Sequence, residues 1–355
     1  MSVGNSFVRS YGSTDFITGL RAIAATMVVM IHTGALLEFG TIGFNITMAG
    51  KYGVDIFFVI SGFSIAKTFM EAKNYHAYIT RRLWRIVPLY FFVITIVTLL
   101  LNYEVIAPNP YAEKYGVTPD LYNYIFHLTM ITYFDYRIAT SILGVEWTIP
   151  IEVFWYAMLP YFIFYTKTFP RVLMMVLLCL FLTFLASYFS KQIFGTIQPI
   201  KWSPIAYGHL FFLGAASYFA RNNFHESSGI KPTLWIYFAT VIFMLSLMFD
   251  FGDLRREVLA LSSAIFIVFM RDNRAVFINK ILSARPLIFL GSISYSIYLI
   301  HMPIISIINK YIVIFDSTAL QFITVYCLTI IFSMISYLFI EKPTNKIGKK
   351  LSLRR

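Results

Sequence analysis

Apolar residues gather in long stretches, and the polar positions fall between them. Ten stretches have the length and hydrophobicity of membrane-spanning helices: approximately 15–38, 53–70, 86–103, 147–166, 172–189, 203–220, 233–251, 256–271, 287–309 and 319–340. An eleventh apolar segment, 121–134 (LYNYIFHLTMITYF), is too short to span comfortably and is rich in Tyr and Phe, which predicts a segment lying at the membrane interface. The pattern therefore predicts an all-α integral membrane protein, a bundle of about ten transmembrane helices. One membrane domain would cover 1–355, with a basic tail over 341–355 and no fused soluble domain. The longest interval, 104–146, has mixed charge and several tyrosines, as expected of a lid or binding loop.

Composition agrees with this class. Hydrophobic residues make up 58% of the chain, charged residues 13%, and the mean hydropathy is +0.71. A soluble exterior of this size needs more polar surface. The net charge of +12 does not point to nucleic acid, because that requires a clustered basic face on a soluble domain. With ten spans, 20 of the 29 Lys and Arg residues fall on the side of both termini and 8 on the other. The positive-inside rule then puts both termini in the cytoplasm. Cys179 and Cys327 lie within apolar stretches, so neither a disulfide framework nor a metal site is expected. Residues 1–14 are largely polar and the first apolar run carries a charge, unlike a cleavable signal peptide.

Candidate chemistry begins in the first apolar stretch, where Arg21 and His32 are eleven residues apart. On a helix this places them within about 20° of one face and roughly 16 Å apart along the axis. A guanidinium in hydrocarbon costs at least about 2.5–3.5 kcal/mol, so that face is expected to meet protein or water. The expected orientation puts His32, Asp55, Glu152 and His301 in the outer half of the membrane, a convergence that suggests a shared cavity. Each also has a plainer reading. Asp55 can stabilise a helix N-terminus, and His301 can satisfy a carbonyl released by Pro303. Glu152 at similar depth offers His32 an orienting or charge partner. At the cytoplasmic side, Arg81, Arg82 and Arg85 read either as positive-inside anchors or as a phosphate clamp, with Arg82 and Arg85 on one helix face.

Five segments, in order, are together specific. The Arg21–His32 spacing, GVDIFFVISGF (53–63), RRLWRIVPLY (81–90), WTIPIEVFWY (147–156) and GSISYSIYLIHMPI (291–304) resemble the signature of the integral-membrane acyltransferase 3 family. That resemblance covers residues 15 to about 341. It implies transfer of an acyl group, usually acetyl, from cytosolic acyl-CoA to an extracytoplasmic or undecaprenyl-linked glycan such as O-antigen, capsule or peptidoglycan. It also implies a bacterial inner-membrane location and needs no metal. By the same resemblance His32 and Arg21 match the essential pair, Glu152 matches the acidic residue of the Trp-Ser-Leu-x-x-Glu-like motif, and Arg82 and Arg85 match the Arg-x-x-Arg motif. Thr148 and Ile149 replace the motif's Ser and Leu. Arg81 joins Arg82 and Arg85 as a candidate for binding acetyl-CoA; Asp55, Trp147, Tyr295 and His301 are candidate substrate-binding or supporting residues.

Two chemical routes fit these residues: His32 as general base on the acceptor hydroxyl with Glu152 stabilising the imidazolium, or His32 as a covalent acyl carrier. A proton-coupled transporter or exporter would use the same intramembrane His, Glu and Arg residues. Its expected repeat symmetry is not visible in the sequence. The acceptor sugar, the acyl chain length and the oligomeric state are not encoded in any of these motifs.

Overall fold

A computed structural model describes residues 14–223, 232–270, 275–311 and 315–353. Among these residues every regular element is helical. The chain opens with α1 (Asp15–Thr33), which stops at Gly34 in the left-handed region, φ 68°. Next come α2 (Gly40–Ala49), a single 3₁₀ turn, and α3 (Gly53–Met70). The helix α4 (Tyr75–Asn102) is capped by the Asn74 side chain, which accepts a hydrogen bond from the Ala77 amide. Two short helices follow, α5 (Pro110–Tyr115) and α6 (Leu121–Leu128), before α7 (Thr148–Thr166) and α8 (Phe169–Phe194). The remainder comprises α9 (Gln198–Lys201), α10 (Gly208–Asn223), α11 (Pro232–Met248), α12 (Leu254–Phe269), α13 (Val276–Leu282), α14 (Arg285–Ser292), α15 (Ser294–Tyr311), α16 (Thr318–Ser336) and α17 (Lys342–Leu353).

The ten expected spans coincide with helices or helix pairs, but the lengths differ. Among the described residues, five helices are long and apolar enough to cross a membrane, or six if the bent pair α14–α15 is one span. These five lie at 15–33, 40–70, 75–102, 169–194 and 318–353. The predicted start of the third span at residue 86 is corrected to Tyr75, because α4 takes the arginine cluster and Pro88 into one continuous helix. The span expected at 287–309 is broken by a 69° bend at Ile293. The segment 121–134 gives only eight residues of α-helix and one 3₁₀ turn, too little to cross. The end of the 256–271 stretch and the first and last residues of the chain lie outside the described residues. Between 341 and 353 the basic tail is helical: a π-turn over Tyr337–Glu341 leads from α16 into α17.

The helix α3 is the centre of the bundle, packed against α1, α7, α10 and α12. Close approach to α10 depends on two glycines. A Cβ on Gly62 would run into the Phe211 carbonyl, and one on Gly214 would run into that of Val59. Small residues at such crossings let backbones touch, which is how helices associate where lipid removes the hydrophobic drive. The faces turned away from the bundle are apolar and open, as at Met174, Leu177 and Phe181 on α8.

The 104–146 connection is folded onto the bundle. His127 and Glu146 are both fully buried, 3.3 Å apart, and Glu146 also accepts the Ile142 amide at 2.7 Å. Asn109 donates to the carbonyls of Thr140 and Ser141. The connection therefore forms a fixed wall that carries Gly144, Val145 and Trp147 to the site described next.

Candidate active site

The helix α1 leads from one cavity to another. Near its start Arg21 lines a cavity of about 700 Å³ whose walls also carry Lys67, Arg85, Lys342, Lys346 and Lys349, with Glu71 and Glu341 as the acids. Near its end His32 lines a second cavity of about 870 Å³. This one is walled by Tyr52, Trp147, Trp202 and Tyr207, with Asp55, His209, Arg256 and Glu257 among its polar groups. A void of about 40 Å³ lies between them, lined by Arg21, Phe57, Ser61, Glu152, Ser294 and Tyr295. Arg21 belongs to the void and the basic cavity, whereas Val54 and Tyr298 belong to the void and the aromatic cavity. The three spaces thus form one interrupted path through the bundle.

The residues at the interruption hold one another. Arg21 Nε donates to Ser294 Oγ at 3.2 Å, and its guanidinium lies 5.8 Å from the centre of the Phe57 ring. Glu152 Oε1 accepts from Ser61 Oγ at 2.5 Å and from Tyr156 OH at 2.6 Å. Tyr295 OH donates to the Ile86 carbonyl at 2.8 Å, tying α15 to α4. The bend between α14 and α15 is what puts Ser294 and Tyr295 here, as the first two residues of the new helix direction.

Three arginines that look alike in the sequence separate in the structure. Arg82 is buried and donates to the Ser64 carbonyl, to Ser64 Oγ at 2.9 Å and to Thr68 Oγ1 at 2.5 Å. It also lies 5.3 Å from the Tyr156 ring centre. Arg81 is exposed and bonds Ser352 Oγ of α17 at 2.7 Å. Arg85, in contrast, lines both the basic cavity and an adjoining pocket of about 240 Å³ that also touches Arg81 and Arg82. Arg82 and Arg85 both line that pocket, but their partners differ.

His32 is open to the aromatic cavity, and its Nδ1 lies 2.8 Å from the Val28 carbonyl oxygen. The ring beside it is His301, whose Nε2 is 3.2 Å from His32 Nδ1. Glu152, expected beside His32, instead meets Ser61 and Tyr156 a cavity away. The reason is helix direction: α7 enters at Trp147, so Glu152 sits a turn and a half deeper than the aromatic wall. Asp55 is buried at the start of α3 with its Oδ1 3.3 Å from Arg256 Nε. Trp147 packs on Trp202 and Tyr207, with ring centres 4.9 and 5.1 Å away.

Sequence reasoning passed over several residues here. Arg256 reads as a loop charge but closes on Asp55, and His209 comes within 3.3 Å of Glu257. Glu341 reads as the start of a polar tail, yet it is buried and accepts from Ser296 Oγ at 3.1 Å. A carboxylate at the end of an apolar run, followed at once by Lys342-Pro343, is the signal that marks it. Among the described residues no group of three or more His, Cys, Asp or Glu side chains could hold a metal ion.

The path has a basic mouth, a narrow waist and an aromatic mouth. Residues 14–338 match the acyltransferase 3 family, described as an acyltransferase domain, and the chain belongs to that family. It is similar to O-acetyltransferase OatA of Staphylococcus aureus, 26% identical over 94% of this chain and 57% of that protein. Peptidoglycan O-acetyltransferase OatA of Listeria monocytogenes is also 26% identical, over 94% of this chain and 56% of its own length. The chain thus spans little more than half the length of these curated relatives. No solved structure is a significant match.

Proposed function

We propose that the protein is a membrane O-acetyltransferase that moves an acyl group, most simply acetyl, from acyl-CoA in the basic cavity to a glycan hydroxyl in the aromatic cavity. The observation that carries this reading is the placement of Arg21 where the basic cavity meets the waist and of His32 in the aromatic cavity beyond it. Their separation of roughly 16 Å along α1 suits a pantetheine arm reaching from one cavity to the other. The names of the OatA relatives support a glycan acceptor, exposed outside the cell or carried on undecaprenyl lipid. With about ten spans, the distribution of Lys and Arg supports both termini inside, and the organisms of the OatA relatives support a bacterial cytoplasmic membrane.

In this mechanism the CoA phosphates rest on Arg85, Arg81 and the lysines of α17, where guanidinium and ammonium groups converge. Arg82 fixes α4 to α3 beneath them. The thioester passes Arg21 and Phe57 and presents its carbonyl carbon above the waist. His32 Nε2 takes the proton of the acceptor hydroxyl as that oxygen bonds to the carbonyl carbon. The carbon–sulfur bond then breaks, and the CoA thiolate takes the proton back from His32. Glu152 and Arg21 set the charge at the waist. Trp147 offers a ring face for a pyranose, while Asp55 and Tyr295 hold the walls on either side.

The test is recovery of label. Purified protein in proteoliposomes, given acetyl-CoA labelled in the acetyl group and a lipid-linked or oligomeric glycan, should release CoA and leave labelled ester on the glycan. Flux of glycan or protons with no CoA release would overturn the proposal in favour of transport.

A further inference from the structure

The transfer chemistry gives no task to the buried histidine that touches His32. His301, on α15, is 0% exposed. Its Nδ1 lies 3.1 Å from the Ile297 carbonyl oxygen, and its Nε2 lies 3.2 Å from His32 Nδ1. A carbonyl oxygen only accepts, so His301 Nδ1 carries the hydrogen and Nε2 the lone pair. The same rule applies to His32, whose Nδ1 is 2.8 Å from the Val28 carbonyl oxygen. The His32 Nδ1 hydrogen therefore faces two acceptors, Val28 O and His301 Nε2. That leaves the His32 lone pair on Nε2, and His32 lines the aromatic cavity.

We propose that His301 is a positioning residue for the transfer: it holds His32 in the tautomer whose Nε2 is the base and accepts the Nδ1–H bond that strengthens when His32 gains a proton. This rests on the acyl-transfer reading of the site. A carboxylate commonly orients a catalytic histidine in this way. Here the carboxylate expected in that place, Glu152, is engaged with Ser61 and Tyr156. A neutral imidazole takes the position instead, itself fixed by the α15 backbone and by the Tyr298 ring, 6.1 Å away between centres. No net proton moves to His301. It only accepts a hydrogen bond, and the proton drawn from the acceptor hydroxyl still leaves on the CoA sulfur.

Two substitutions separate positioning from packing. His301→Phe keeps a ring in a fully buried space but removes the acceptor; His301→Gln keeps an acceptor but fills the space less well. If His301 positions His32, His301→Phe should lower kcat by roughly 30- to 100-fold, within the range of general acid–base contributions. Its KM values for donor and acceptor should stay within about threefold, and His301→Gln should hold kcat within about tenfold of the wild type. A second readout needs no turnover: carbethoxylation of His32 by diethyl pyrocarbonate, followed by peptide mass spectrometry. His32 should react in the wild type and in His301→Gln, and several-fold more slowly in His301→Phe. Equal or better performance of His301→Phe than His301→Gln in both readouts would overturn the proposal. If no transfer is seen with any acceptor, the acyl-transfer reading fails, and the carbethoxylation order alone decides the role of His301.

Discussion

Arg82 and Arg85 stand three residues apart on one face of α4, yet Arg82 hydrogen-bonds Ser64 and Thr68 of α3 whereas Arg85 opens into the basic cavity. A shared motif thus divides into one cation tied to the neighbouring helix and one that lines the basic cavity. Arg85→Gln should raise the KM for acyl-CoA about tenfold or more, with thermal unfolding unchanged. Arg82→Gln should do the reverse first, destabilising the protein by about 1–3 kcal/mol through the buried oxygens it abandons. Kinetics beside a thermal-shift series would show whether the two effects separate.

Glu152 tests the waist. Glu152→Gln keeps an oxygen for Ser61 and Tyr156 but removes the negative charge from the void that Arg21 lines. Folding should be retained, and kcat should fall at least about tenfold, equivalent to about 1.4 kcal/mol of transition-state stabilisation. An unchanged kcat would limit Glu152 to holding α3 and α7 together.

Val54 lies where the void meets the aromatic cavity. Enlarging it with Val54→Phe should obstruct the thioester's route while leaving the basic cavity untouched. Acyl-CoA binding, measured by quenching or calorimetry, should stay within about twofold, and transfer should drop more than about tenfold. Loss of binding in parallel with transfer would argue that the donor does not use this path.

Outside the spans, Arg137 donates two hydrogen bonds to the Asp135 carboxylate and so holds it below the usual aspartate range. A carboxyl depressed on folding adds stability above its unfolded value, here near 3.8, and loses it as pH falls through the folded value. Thermal stability of the wild type should therefore drop more steeply below about pH 4 than that of Asp135→Asn.

The parts of the site carried by helical spacing were legible in the sequence. Arg21 and His32 face inward from one helix because eleven residues nearly complete three turns. Arg82 and Arg85 share a face for the same reason. What periodicity does not carry is the partner across the bundle. His301 reaches His32 from 269 residues away, and only the bend at Ile293 sets its approach. Arg256 and Glu341 were hidden by their neighbours, since charges at the edge of an apolar run look like loop residues until another helix closes over them. Helix ends were equally hard to place. The arginines of α4 have the polarity of a loop, but hydrogen bonding to α3 and α17 takes them into the helix.

In the proposed transfer, donor and acceptor meet from opposite mouths at His32. This is tested most directly in oriented proteoliposomes, with labelled acetyl-CoA supplied only on the side of the C-terminal helix and glycan only on the other. Wild-type protein should place label on the glycan across the membrane, and His32→Ala should insert normally and transfer none. Label transferred equally by His32→Ala, or only when both substrates are on one side, would rule out transfer across the membrane at His32.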